Sequence, residues 1–244
     1  MNFLSSIKKR IIDKHFFHPY WYSIFINPYF IARRTLNNNI KEFSKTVGTN
    51  KEILDVGCGS KPYKKYFDQN NYVGIDIKEE SSADDVKIPE KFYDGLNIPY
   101  ENNIFDIIIC TQVLEHAVDP EKLLKECSRV LKNKGIIFLT MPFVYPEHGI
   151  PYDFRRFTSY GHKLIFKESG FEIKNITPTC GIFRVCGQLI SIAIFESIKF
   201  KAPFLKLFLT FFLCAPIQII SIILDYIFYN KWITLDYVII AHKK

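Results

Sequence analysis

The chain is poor in the patterns that announce a metal site or a disulfide framework. Its six cysteines, at 58, 110, 127, 180, 186 and 214, include no CxxC pair, and no Cys/His cluster has zinc-finger spacing. The six histidines are scattered without ligand spacing, so no metal is expected. Cys110 and Cys214 lie in apolar runs and read as buried free thiols, which fits a reducing compartment. The start, MNFLSSIKKRIIDKHFFHPYW, has no uninterrupted apolar core followed by a cleavage site, which argues against a signal peptide. Glycine is scarce, 11 in 244 residues. The dinucleotide fingerprint GxGxxG fails because Pro62 stands at the third glycine, and no GKS or GKT follows to make a P-loop. Repeats, low-complexity tracts and a dedicated RNA-binding module are also missing, and the bases are not gathered beside the glycines. No nucleic-acid partner is expected.

What is present is a large apolar content, 48% of 244 residues, ample for one α/β domain and some extra structure. The net charge of +7 favours an anionic neighbour. The first 48 residues mix aromatics with bases (Lys8, Lys9, Arg10, Arg33, Arg34) and read as helix broken at Pro19 and Pro28. From residue 51 the texture changes. KEILDV, NYVGIDI, IFDIIICT, IIFLTMP, FEIKNIT and WITLDYVIIA read as strands. SKPYKKYF, DPEKLLKECSRVLKNKG and residues 159–169 read as helices, the second stopping at Gly135. Alternating strand and helix predicts an α/β fold, a doubly wound and mostly parallel sheet.

The stretch ILDVGCGS carries the ligand argument. Two glycines between a strand and a helix let a ligand approach the backbone at the carboxyl edge of the sheet. Asp76, at the end of the second strand, stands where a carboxylate accepts hydrogen bonds from both ribose hydroxyls. Asp94 lies in a loop where a carboxylate can accept from an adenine amino group, and Asp55 favours a cationic ligand end. Three acids suit a neutral or cationic nucleoside and suit a pyrophosphate poorly. Taken singly, Asp76 and Asp94 read equally as turn or cap acids.

DVGCGS, VGID and DGLNIPYENNIFDIIICTQVLEHAVDPEKLLKECSRVLKNKGIIFLTMP together resemble the class I S-adenosylmethionine-dependent methyltransferases, in particular the ubiquinone-biosynthesis-type group. The resemblance covers roughly residues 50 to 180 and the closing strand. It implies a Rossmann-like methyltransferase fold, a seven-stranded sheet whose last strand is antiparallel, with S-adenosylmethionine as cofactor. By the same resemblance Asp55, Gly57, Cys58, Gly59, Asp76, Ile77, Asp94, Gly95 and Thr111 hold the cofactor, with Cys110 beside Thr111. Many members carry a third glycine where this chain has Lys61.

The acceptor side is sought after the fifth strand, in PFVYPEHGIPYDFRRFT. An alcohol holds its proton tightly and calls for a base. His148 is the candidate, with Asp153 as its orienting partner or as the base itself; Tyr152, Arg155 and Arg156 are candidate substrate contacts. This stretch also resembles methyltransferase-like proteins of bacterial surface-polysaccharide assembly, which implies a glycan or glycolipid acceptor. His116 reads as a structural or pocket-lining residue. Residues 182–230 are apolar beyond any ordinary connection, with LFLTFFLCAPIQIISIIL free of charge. They read first as helices on a membrane surface, with Lys199, Lys201 and Lys206 toward headgroups, then as a homodimer contact or a lid, and last as a spanning helix. The expected organisation is therefore an N-terminal segment 1–48, a methyltransferase domain 49–181 plus 231–244, and an apolar insertion 182–230. The leading expectation is O-methylation of a sugar at the cytoplasmic face of a membrane. The alternatives are a membrane-dissolved quinone-like acceptor and a scaffold without turnover.

Overall fold

A computed structural model of the chain describes residues 13–78, 89–197 and 203–244. The expectations attached to Lys8, Lys9, Arg10, Lys199 and Lys201 lie outside them. The chain divides into two compact units. A sheet unit holds residues 41–143, 147–177 and 237–244, and a helical unit holds the chain up to Ile40, residues 144–146 and residues 178–236. The N-terminal segment up to Ile40 and the apolar insertion, read as separate pieces of sequence, therefore fall in one unit, while residues 41–48 belong to the sheet unit.

The sheet has seven strands: β1 (Glu52–Val56), β2 (Asn71–Ile77), β3 (Lys91–Tyr93), β4 (Phe105–Thr111), β5 (Leu131–Pro142), β6 (Phe171–Pro178) and β7 (Asp236–Lys243). Their order is β3-β2-β1-β4-β5-β7-β6. The first five pair in parallel, in registers such as Leu54 with Val73 and Leu54 with Ile108. The last strand runs against its neighbours. Lys244 N donates to Gly170 O while, at the other end, Thr179 N donates to Asp236 O. Strands β1 and β4 sit in the middle, and Ile53, Leu54, Val56, Ile108 and Ile109 are fully buried. A parallel strand covered on both faces has no polar side to show, so its sequence reads as an unbroken apolar run.

Three helices are named in chain order: α1 (Phe30–Thr46), α2 (Pro120–Val130) and α3 (Ser159–Glu168). Asp119 caps α2 by accepting from Lys122 N at 2.9 Å, with Pro120 in the first turn. The sequence places the end of α2 at Gly135, but it ends at Val130. Leu131 takes an extended backbone and pairs with Phe105, which starts β5 five residues early. The helix expected from SKPYKKYF is a single turn, Lys64–Tyr66. Lys61 at φ 54° is left-handed, so a helix cannot run through it.

The helical unit contains α4 (Ile182–Glu196) and α5 (Pro203–Ile227), the latter with a wider turn at Thr210–Cys214. Helix α5 is long and apolar enough to cross a membrane, yet only 28% of its most apolar window is buried. Its pattern is inverted. Thr210, Gln218, Ser221 and Asp225 are buried, while Phe204, Phe208, Phe212, Ile220 and Ile223 are exposed. The buried polar groups have structural work. Gln188 and Gln218 accept from the N–H groups of Ala32 and Ile31 at 3.0 and 3.3 Å, the otherwise unanswered donors at the start of α1. Asp225 accepts from Gly181 N at 3.0 Å, which caps α4, and lies 3.3 Å from Arg184 Nε. A Cβ on Gly187 would lie 2.2 Å from Ser221 Oγ, so glycine sets how closely α4 and α5 approach.

Candidate active site

The carboxyl end of β1 turns through Gly57, Cys58 and Gly59. Gly57 has φ +69°, and a Cβ there would stand 2.4 Å from Val113 Cγ2. Gly59 has φ +50°, and a Cβ there would meet no protein atom within 4 Å, because it faces a cavity. Lys61 holds the third left-handed position at a residue where glycine is the easier choice. Its Nζ reaches both oxygens of Glu90 at 2.5 Å, and its stem lies over Gly74, where a Cβ would be 2.7 Å from Lys61 Cε.

The cavity is about 300 Å³, the lower end of the ligand-pocket range. Gly57, Gly59, Asp76, Ile77 and Gly95 line it, as the sequence reading expects, and Tyr93, Gln112, Val113, Ala117 and Leu123 join them. Asp76 accepts from Gly59 N at 2.8 Å and from Ile77 N at 2.9 Å, which fixes its carboxylate at the rim. Asp55, Cys58, Asp94 and Thr111 are not among the lining residues. Asp55 is buried and accepts from the Tyr72 hydroxyl at 2.5 Å; burial pushes its pKa up to about 7, with the hydroxyl opposing the rise. Cys58 is buried beneath the turn, beside Gly74. Asp94 accepts from the N–H groups of Asn97 and Leu96 and from the Asn97 amide, which hold its carboxyl down at about 2 and tie it to its own turn. Thr111 pairs with Thr140 at the end of β4.

At the acceptor side the loops after β4 and β5 meet. His148 stands with Nδ1 3.3 Å from Asp153 Oδ2 and Nε2 3.7 Å from Glu115 Oε1. Asp153 also accepts from His148 N at 3.0 Å and pairs with Arg156, whose guanidinium keeps the carboxyl at about 2. So weak a base orients His148 and does not compete with it for protons. Arg155 donates to Ala117 O at 2.7 Å, so both arginines are engaged with protein groups at this loop. Tyr152 is exposed and lines the cavity, as does His116, whose Nδ1 donates to Tyr152 O at 2.8 Å. Glu115 and Gln112 are the residues the sequence reading missed. The rule that chemistry gathers at the carboxyl ends of parallel strands points to both, just past β4.

Sheet order, glycine turn and rim carboxylate define a class of protein. Residues 54–139 match the methyltransferase domain family. A ubiquinone biosynthesis O-methyltransferase of Pseudomonas aeruginosa (strain UCBPP-PA14) is 26% identical over 156 residues, 52% of this chain and 66% of that protein. A ubiquinone biosynthesis O-methyltransferase of Coxiella burnetii is 31% identical over 102 residues, 37% of this chain and 43% of that one. The chain thus spans less than two thirds of the length of both. Among solved structures, the [4+2]-cyclase SpnF aligns with a TM-score of 0.55 at 18% identity, covering 86% of this chain and 82% of that one. An S-adenosylmethionine-dependent methyltransferase from Mesorhizobium loti aligns with a TM-score of 0.52 at 11% identity, covering 87% and 100%. These likenesses are to the fold. Residues 54–139 thus resemble a methyltransferase domain, and the chain has the fold of the S-adenosylmethionine-dependent methyltransferases.

The residues fit the family's cofactor. Gly59 leaves open the space a Cβ would enter, Asp76 offers a carboxylate to a ribose, and Ile77, Tyr93 and Leu123 supply an apolar wall for a base.

Proposed function

We propose that the protein methylates a hydroxyl of a sugar in a glycan or lipid-linked glycan precursor, at the cytoplasmic face of a membrane. S-adenosylmethionine, when bound, supplies a methyl group on a sulfonium that is already an activated leaving group. The chain has to place the hydroxyl in line and remove its proton. The observation that carries the reading is the imidazole of His148, oriented by Asp153, next to the cavity wall formed by His116 and Tyr152. An aliphatic hydroxyl needs such a base, and a phenol needs it less. A quinone-type ring remains the second reading because relatives bear the name ubiquinone biosynthesis O-methyltransferase.

The inverted helix α5 supports the membrane. A helix that turns glutamine, serine and aspartate inward and phenylalanine and isoleucine outward is built for an apolar surround. Lys206, beside this face, suits an anionic headgroup. The test has two arms. Transfer of labelled methyl from S-adenosylmethionine to extracted lipid-linked glycans is expected, with His148→Ala slowing it about a hundredfold or more. Flotation with anionic vesicles is expected for the wild type and reduced for Phe208→Ser/Phe212→Ser. Absence of calorimetric S-adenosylmethionine binding favours the scaffold without turnover. Transfer to a quinol with His148→Ala at full rate favours the ring.

A further inference from the structure

Glu115 is fully buried, and among the described residues neither of its carboxylate oxygens has a hydrogen-bond partner. A buried carboxylate left unanswered costs several kcal/mol unless a proton or a cation neutralises it. Two imidazoles face it. His116 Nε2 lies 3.8 Å and His148 Nε2 lies 3.7 Å from the same oxygen, Glu115 Oε1. Each ring is held from its other nitrogen: His116 by the Tyr152 carbonyl at 2.8 Å, His148 by the Asp153 carboxylate at 3.3 Å. With Nδ1 of each ring turned to these groups, Nε2 is the nitrogen that faces Glu115 Oε1. Two imidazole nitrogens and a carboxylate oxygen therefore converge, all three within 4.8 Å of one another.

We propose that Glu115, His116 and His148 bind a divalent cation of the zinc type, with an open position toward the cavity. Bond lengths of about 2.0–2.2 Å in a tetrahedral site put ligand atoms about 3.3–3.6 Å apart, so the two imidazole–carboxylate spacings close by a few tenths of an ångström and the widest spacing, up to 4.8 Å, by about 1 Å. A carbonyl and a carboxylate behind the two rings are the outer groups that fix ligating histidines in one tautomer. His116 lines the cavity, and Gly149 packs so closely on it that a Cβ would lie 3.0 Å from His116 Cε1. What the cation does there rests on the methyltransferase reading. A cation held by these residues would lower the pKa of an acceptor hydroxyl at its open position; the hydroxyl would give its proton to water and bond to the methyl carbon as the S–CH3 bond breaks and S-adenosylhomocysteine leaves with the electron pair. His148 then serves as a ligand through the lone pair that would otherwise take the proton.

The test is equilibrium dialysis of the chelator-stripped full chain against Zn²⁺, with metal content read by atomic emission. Co²⁺ serves as a visible-absorption probe of coordination geometry. One Zn²⁺ per chain is expected, with affinity reduced at least tenfold in His116→Ala, His148→Ala and Glu115→Gln, and a four-coordinate Co²⁺ spectrum lost in the same variants. Zn²⁺ is also expected to raise the melting temperature of the wild type and not that of His116→Ala, a partly exposed position that tolerates truncation should Glu115→Gln fail to fold. Less than one Zn²⁺ per chain, or variants that bind as the wild type does, overturns the site. Calorimetry of S-adenosylmethionine binding in excess chelator separates the two readings. Binding there with no Zn²⁺ site refutes only the cation, and no binding there with an intact Zn²⁺ site refutes only the methyltransferase reading.

Discussion

Two buried acids, one in each unit, make a contrast. In the helical unit Asp225 is buried with its Oδ2 accepting from the Gly181 N–H and 3.3 Å from Arg184 Nε. In the sheet unit Glu115 is buried with neither carboxylate oxygen hydrogen-bonded among the described residues, beside two imidazoles and a cavity. The glycines divide the same way. Gly187 lets two helices touch, whereas Gly59 opens onto space that no protein atom fills. Asp225 holds a helix start in place, whereas Glu115 is left open beside a cavity and two imidazoles, where something else can bind.

The sharpest way to break this comparison is to add one carbon at each glycine. Gly57→Ala drives a Cβ into Val113 at a left-handed backbone position, and misplacement of the turn is expected to cost about a hundredfold or more in S-adenosylmethionine affinity and methyl transfer. Gly59→Ala meets no protein atom, so it is expected to fold with a loss of about 1–2 kcal/mol from backbone strain and still bind the cofactor poorly. Gly187→Ala reverses the outcome: overpacking against Ser221 costs about 1–3 kcal/mol of stability with cofactor affinity unchanged below the melting transition. Urea titration and calorimetry on all three decide it. A Gly187→Ala protein that folds normally but loses the cofactor ends the distinction.

Next in size are the caps. Asp225→Ala leaves the Gly181 N–H and Arg184 without their partner and is expected to destabilise the protein by about 1–3 kcal/mol in urea. An unchanged midpoint in that variant denies Asp225 its structural role.

A pH series sharpens the picture within the sheet unit. Asp55, raised by burial to about 7, stays protonated in the fold while the unfolded chain ionises above about pH 4. Its contribution is full below about pH 4 and is lost as pH rises to about 7. His162, buried among Phe157 and Tyr237 and lowered by burial to about 4, works the other way. Its contribution is full above about pH 6.5 and is lost as pH falls toward about 4. The opposing slopes flatten the wild-type profile. His162→Phe is expected to expose the falling slope and Asp55→Asn the rising one, each on the order of 2 kcal/mol across that window. Parallel profiles for the two variants contradict the assignment.

Much of the sheet was legible in the sequence because central parallel strands are apolar on both faces; β1, β2 and β4 stand where the runs place them. The end of α2 was not, since Leu131 suits a helix stripe and a strand equally and only pairing with Phe105 decides. In the site, Gly57, Gly59 and Asp76 were legible because a turn and the next strand end form a local device. Asp94 was ambiguous, and its carboxylate caps its own turn. The cluster at Glu115 was invisible because sheet order, not spacing, brings together loops 36 positions apart, as the His116–Tyr152 bond shows. Gln218 and Asp225 looked like flaws in an apolar run. They are caps for helices that begin elsewhere in the chain.

The smallest effect concerns Lys61, where the cofactor turn departs from the glycine that many relatives of this type carry. A left-handed backbone costs a side-chain-bearing residue about 1–2 kcal/mol. The Lys61–Glu90 pair offsets part of that. Its lysine is only 14% exposed, its carboxylate also accepts from Gly74 N, and it lies at the upper end of what a surface pair contributes, about 1 kcal/mol. Lys61→Gly removes the strain and the pair together and is expected to change stability by less than about 1 kcal/mol. Lys61→Ala keeps the strain and loses both the pair and the stem over Gly74, so it is expected to lose about 1–2 kcal/mol. The ordering of the three proteins in urea is the readout. If alanine equals lysine, the ion pair contributes nothing and the strain at the turn is borne by the fold as a whole. If glycine is far more stable than lysine, the Lys61–Glu90 pair does not offset the strain of the left-handed backbone.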